Sequence, residues 1–203
     1  MLKSLVVGAA ALFSASAANA VVVLSSNFDA VTTPVLTEDG YDILPDADGW
    51  TGGQLGIEVQ DSRYGTAFSP LNLVELDTTG NSSMFVNLGA GSYTLSYYYS
   101  PRPDVLADSN GIEVLIGSTV IDSVALDGGS ETVWQLRTVN FTTTGGALTF
   151  AAAGISDGFG GYVDSITLES GAIPEPATWG MMLTGFALVG FAARRRRTGV
   201  VAA

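Results

Sequence analysis

The chain has no cysteine and no histidine, and between residues 21 and 172 it has no lysine. Each absence excludes a chemistry. Without histidine or cysteine there is no Ser-His-Asp or Cys-His nucleophile, no thiol redox centre and no zinc site built on imidazole or thiolate. Carboxylates, hydroxyls and oxygen-ligated metals remain. A secreted domain of this size folds without disulfides, so the missing cysteines are compatible with export. The whole chain has 203 residues and a net charge of −12. Five of its eight bases, Lys3 and Arg194 to Arg197, lie near the ends, so residues 21–172 hold 19 acids against Arg63, Arg102 and Arg137, a net −16. Such a surface repels nucleic acid and anionic membranes, and it suits divalent cations or neutral sugars.

Both ends read as processing segments. Residues 1–20 have the order of a secretory signal: Lys3, an apolar run from Leu5 to Phe13, then the small-x-small site Ala18-Asn19-Ala20. The apolar run is shorter than the ~20 residues that span a bilayer. Cleavage is expected after Ala20, with Ala17 as second choice; a buried N-terminal helix is the alternative. At the other end Ile173-Pro174-Glu175-Pro176 precedes an apolar run from Ala177 to Ala193 and then Arg194-Arg195-Arg196-Arg197. The prolines forbid a helix across them. The run is at the lower length limit of a transmembrane helix, and the arginines set its C-terminus on the cytoplasmic side.

Between the ends, residues 21–172 are punctuated by Gly, Asn, Asp and Pro into short β-type runs. Strands are expected at 21–27, 55–60, 71–76, 83–87, 92–99, 111–117, 119–125, 133–141, 147–152 and 161–169. Tyr93, Leu95, Tyr97 and Tyr99 share one face of their strand, as do Ile112, Val114 and Ile116. Tyr162, Ile166 and Leu168 are expected to share a third, and Gly117-Ser118 suits a type II′ hairpin turn. No segment keeps a 3.6-residue apolar period with caps. The expectation is an all-β domain, an antiparallel β-sandwich of jelly-roll form, flanked by a signal helix and a C-terminal transmembrane helix. Residues 32–54 read as a long loop.

The order Pro-Glu-Pro, apolar helix, arginine cluster over residues 173–203 resembles the PEP-CTERM sorting signal of Gram-negative bacteria. That resemblance implies an exported protein whose tail is cut by an exosortase-type membrane protease. It would pass from inner-membrane precursor to the cell envelope, outer surface or extracellular matrix. Ile173 stands where that signal often has Val, and a permanently anchored single-pass protein is the alternative. The segments 56–59, 72–77, 93–96 and 161–166 together resemble galactose-binding-like jelly rolls, which implies a fold more than a ligand.

Asp164 is in phase with Tyr162, Ile166 and Leu168, so the strand period turns it inward. A buried carboxylate needs a charge partner, hydrogen bonds or a metal. Jelly rolls of the kind it resembles often hold structural Ca²⁺ between first and last strands, which pairs Asp164 with Asp29. The other reading is that Asp164 accepts backbone N–H groups or is partly solvated at a sheet edge. Asp46-Ala47-Asp48-Gly49 fails the EF-hand spacing and reads as a solvated loop. Trp50, Tyr64, Tyr98 and Trp134 are candidates for stacking on exopolysaccharide sugar rings, whereas Tyr93, Tyr97 and Tyr99 read as core. The carboxylate pairs Glu75/Asp77 and Glu58/Asp61 read as surface acids. The expected function is therefore non-enzymatic, with a carboxylate-dependent glycosidase or lyase as the alternative.

Overall fold

The computed structural model describes residues 20–171 and 176–197. Lys3 and Ala18 of the expected signal helix, and Pro174 and Glu175 of the tail, lie outside the described residues. Residues 20–171 form one compact unit, and the C-terminal helix belongs to another.

In chain order the elements are β1 (Val21–Ser26), α1 (Pro34–Asp39), β2 (Tyr41–Leu44), β3 (Asp46–Ala47), β4 (Trp50–Gly52), β5 (Ile57–Asp61), β6 (Asn72–Glu75) and β7 (Ser83–Leu88). They continue with β8 (Gly91–Ser100), β9 (Ile112–Ile116), β10 (Thr119–Val124), β11 (Gln135–Thr143), β12 (Gly146–Ala152), β13 (Tyr162–Ser170) and α2 (Pro176–Arg197). Two antiparallel sheets result. One runs β11-β8-β13-β6-β5-β2 with β1 added along β13; the other runs β10-β9-β12-β7-β4-β3. Every expected strand overlaps an observed one. Gly117 takes φ +59 between β9 and β10, as the first central residue of a type II′ turn does.

The expected loop 32–54 is instead built of α1, β2, β3 and β4. Its signals are local and short. Thr33 Oγ1 accepts from the Leu36 amide, Pro34 sits in the first turn, and Gly40 at φ +88 closes the helix by donating its N–H to the Leu36 carbonyl. Asp48 and Gly49 both take positive φ, the condition for a type I′ turn joining β3 to β4. Six helical residues and strands of two and three are too short to show a period.

Between the sheets, side chains alternate inward as the pleat requires. Leu95, Tyr97 and Tyr99 of β8 meet Ile112, Val114, Leu148 and Phe150 of the opposite sheet, all fully buried. Phe150 receives two rings edge-on, Trp50 at 5.4 Å and Tyr97 at 4.9 Å between centroids. The polar tips are satisfied: Tyr97 donates to Asp122 at 2.9 Å and Tyr99 to the Asn110 carbonyl at 2.9 Å. Each such aromatic contributes roughly 1.5–3 kcal/mol by burial.

The 22-residue helix α2 contains the expected span 177–193. Met182, Leu183, Phe186, Leu188 and Val189 stand more than half exposed along it. Among the described residues no helix is long and apolar enough to cross a membrane.

Candidate functional site

The candidate site residues Asp29, Asp164 and Trp134 gather at the face of the seven-stranded sheet turned away from the core. Along β13 the alternation is broken at Ser165, which takes φ +48 where the pairing with β8 shifts register between Asp164 and Thr167. Val163, Ile166 and Leu168 belong to the inter-sheet core. Asp164 pairs with Tyr98 and Tyr162 with Glu75, positions that point the other way. This corrects the sequence reading: Asp164 and Tyr162 do not share the face of Ile166 and Leu168. Asp164 is fully buried all the same, because the loop 62–71 between β5 and β6 lies over this outer face. Gly65 permits that approach; a Cβ there would come within 2.8 Å of the Tyr162 ring and 3.6 Å of Leu73.

Ser69, on that loop, brings Asp164 and Asp29 together. Its hydroxyl oxygen lies 2.9 and 3.0 Å from the two carboxylate oxygens of Asp164, 3.1 Å from Asp29 Oδ1, 3.0 Å from the Asn27 carbonyl and 3.2 Å from the Asn72 carbonyl. One hydroxyl carries one proton, so it serves one of these five acceptors at a time. The rest is an oxygen cage. Asp29 Oδ1 also accepts from the amides of Leu71 and Asn72, and Asp164 from the amide of Ser69 at 2.8 Å. Among the described residues no arginine reaches Asp164, so burial pushes its carboxyl above the usual range, an effect the Ser69 and Ser165 donors only partly offset. Among the described residues no three acids converge as metal ligands. Ca²⁺ does not need three, since carbonyl and hydroxyl oxygens complete its shell. The oxygens gathered here belong to two carboxylates and two carbonyls, with the Ser69 hydroxyl at their centre.

Beside the cage stands an aromatic shelf. Phe68 stacks on Tyr98 with centroids 3.5 Å apart and planes 16° from parallel, and Trp134 meets Phe68 edge-on at 6.3 Å. Trp134 is anchored by its indole N–H to the Thr66 carbonyl at 2.9 Å. Phe68 is 46% exposed, and Leu136, opposite Tyr98 on β11, is 59% exposed. Phe68 was not legible as a site residue, because nothing in its neighbourhood separates it from a loop aromatic. Tyr64 lies on the same loop but turns to Tyr41, ring to ring at 5.6 Å.

Trp50 is a correction. It is 1% exposed, its ring set against Phe150 and its N–H bonded to Ser26 Oγ at 3.1 Å, so no ring face is left for a sugar.

Glu58, Glu75 and Asp77 are also not surface acids, whereas Asp61 at the end of β5 stays partly exposed beside Arg63. Glu58 and Glu75 are directly opposed across the two strands, and Gln60 Nε2 donates to both. Glu75 and Asp77 are fully buried. Arg102 bonds Glu75 and lies over the rings of Phe159 at 4.8 Å and Tyr162 at 5.9 Å. Gln60 Oε1 and Asp77 Oδ1 are buried with no partner. Burial pushes the Glu75 carboxyl up to about 7 against the opposing pull of Arg102, and burial likewise raises Glu58.

Together the two sheets define an antiparallel β-sandwich of jelly-roll kind. The fold is that of the K2 cleaved adhesin domain of Lys-gingipain, to which this chain is similar with TM-score 0.53 and 16% identity over 71% of this chain and 96% of that one. The K1 cleaved adhesin domain of Lys-gingipain from Porphyromonas gingivalis matches at TM-score 0.48, with 16% identity over 73% and 98% of the two chains. A family 35 carbohydrate binding module from Clostridium thermocellum matches at 0.40, with 14% identity over 63% and 96%. No curated protein matches the chain in sequence. The particular feature is at the tail: the chain carries a PEP-CTERM protein-sorting motif over residues 172–197. That motif implies a secreted protein of the cell surface.

Proposed function

We propose that this protein is an exosortase substrate whose β-sandwich is displayed on the envelope or in the extracellular matrix as a non-enzymatic module that binds neutral exopolysaccharide. The observation that carries the sorting part is the PEP-CTERM motif directly following the domain. In the precursor the tail is held at the inner membrane with Arg194 to Arg197 on the cytoplasmic side. An exosortase-type protease then removes it at the Pro174-Glu175-Pro176 segment.

The ligand part is supported by the Tyr98–Phe68–Trp134 shelf and by the charge. An aromatic face offers C–H contacts to a pyranose ring, and a domain of net −16 disfavours an anionic polymer. Ca²⁺ held by Asp29, Asp164, Ser69 and the carbonyls of Asn27 and Asn72 would neutralise the cage. It would also tie the chain after β1 and the loop 62–71 to β13, fixing the loop that presents Phe68. Affinity electrophoresis of the secreted protein through gels cast with neutral polysaccharides tests the ligand. Retardation that is lost in Trp134→Ala supports it; unretarded migration in every neutral polymer refutes it.

A further inference from the structure

The acid cluster of β5 and β6 plays no part in sorting or sugar contact, and its charges do not balance. Glu58 and Gln60 face it from β5, Glu75 from β6, Asp77 from just beyond β6, Arg102 from the turn after β8 and Tyr162 from β13. Three carboxyl groups therefore meet one guanidinium, in a region where none of the three is more than 8% exposed. The hydrogen-bond inventory is short of donors in the same place. Gln60 Nε2 is divided between two opposed carboxyls, and Gln60 Oε1 and Asp77 Oδ1 have none. Two buried carboxylates facing each other across adjacent strands do not both ionise unless two cations attend them. Here one does.

We propose that Glu58 and Glu75 share one proton in the folded domain and lose it as the surroundings turn from acid to neutral, so that the fold is most stable while the pair carries a single charge. The second half of the loop 153–161 packs on this cluster: the Gly160 amide donates to Glu75 Oε1, those of Asp157 and Gly158 donate to Asp77 Oδ2, and Phe159 lies under Arg102, while Ser109 Oγ donates to Asp157 Oδ2 from outside it. The pair titrates as a unit, so the proton belongs to the dyad and not to one residue.

The sign follows from the direction of the shift. A carboxyl raised from 4.5 in the unfolded chain to about 7 in the fold binds a proton that the unfolded chain has released. Stability is complete below the unfolded value, falls as pH rises through the interval, and levels off above about pH 7. Within the interval the folding constant drops by up to about tenfold per pH unit. With no histidine in the chain, ordinary groups are silent there. Asp164 is the other buried carboxyl raised in the fold, and it is present unchanged in the variant below.

The test follows the melting temperature of the full-length chain in neutral detergent from pH 5 to 7.5 at fixed ionic strength. In parallel it follows the ¹³C carboxyl resonances of Glu58 and Glu75. The expected result is a falling melting temperature, with both resonances moving together in this range. Glu58→Gln, which keeps the Arg102–Glu75 pair and removes one charge, should flatten the dependence. The proposal is overturned if both glutamates finish titrating below pH 5, or if Glu58→Gln retains the full fall. Should that variant not fold, the wild-type resonances decide alone.

Discussion

Asp29, just after the first strand, and Asp164, on the last, meet at a single hydroxyl: Ser69 Oγ lies 3.1 Å from Asp29 Oδ1 and 2.9 Å from Asp164 Oδ1. If Ca²⁺ completes this cage, it binds the folded chain only and stabilises it by mass action, about 2.7 kcal/mol at a hundredfold excess over Kd. Ca²⁺ and Na⁺ must be compared at equal ionic strength, because any salt relieves repulsion among exposed acids. Calcium should raise the melting temperature by several degrees, and Asp164→Asn should remove the difference. Equal melting in both salts would return Asp164 to a carboxyl satisfied by Ser69 and Ser165.

Removing one ring from the shelf should weaken polysaccharide binding and leave the fold intact. Trp134 and Tyr98 are partly exposed, so Trp134→Ala and Tyr98→Ala should each cost about 1 kcal/mol or more in affinity while the circular dichroism spectrum is unchanged. Tyr64→Ala, whose ring faces Tyr41, should bind as wild type. Isothermal titration with a neutral oligosaccharide checks the order.

Trp50 should behave in the opposite way. It is enclosed by the core and packed on Phe150, so Trp50→Ala leaves a cavity and should destabilise the domain by about 3–5 kcal/mol. Urea denaturation measures this. A loss below 1 kcal/mol would mean the ring is not enclosed.

What the sequence shows and hides follows from range. The alternation of Leu95, Tyr97 and Tyr99 is local, and the core faces of β8 and β9 were legible from it. The bulge at Ser165 is a single residue at φ +48, and no pattern in Tyr162 to Leu168 announces it, so the face of Asp164 was misread although its burial was foreseen. The opposition of Glu58 to Glu75 is set by strand pairing, which spacing along one strand cannot supply. Ser69 stayed hidden for the same reason: its partners come from β13 and from the chain after β1. The Asp48-Gly49 turn was legible in principle, but the strands on either side are too short to alternate.

Replacing Arg194 to Arg197 by neutral residues should disturb the insertion of the precursor, because those four side chains supply the positive-inside bias at the C-terminal end of α2. Protease protection of the β-sandwich in inner-membrane vesicles reads this out. Orientation unchanged in the quadruple variant would assign topology to the N-terminal segment alone.

The sorting account is tested most directly by the intact mass and both terminal sequences of the native protein recovered from the envelope or medium. The account predicts a chain that begins at Val21 and ends before Arg194, with the arginine cluster and α2 gone. A mature population that still begins at Met1, or that retains Arg194 to Arg197 throughout, would contradict it.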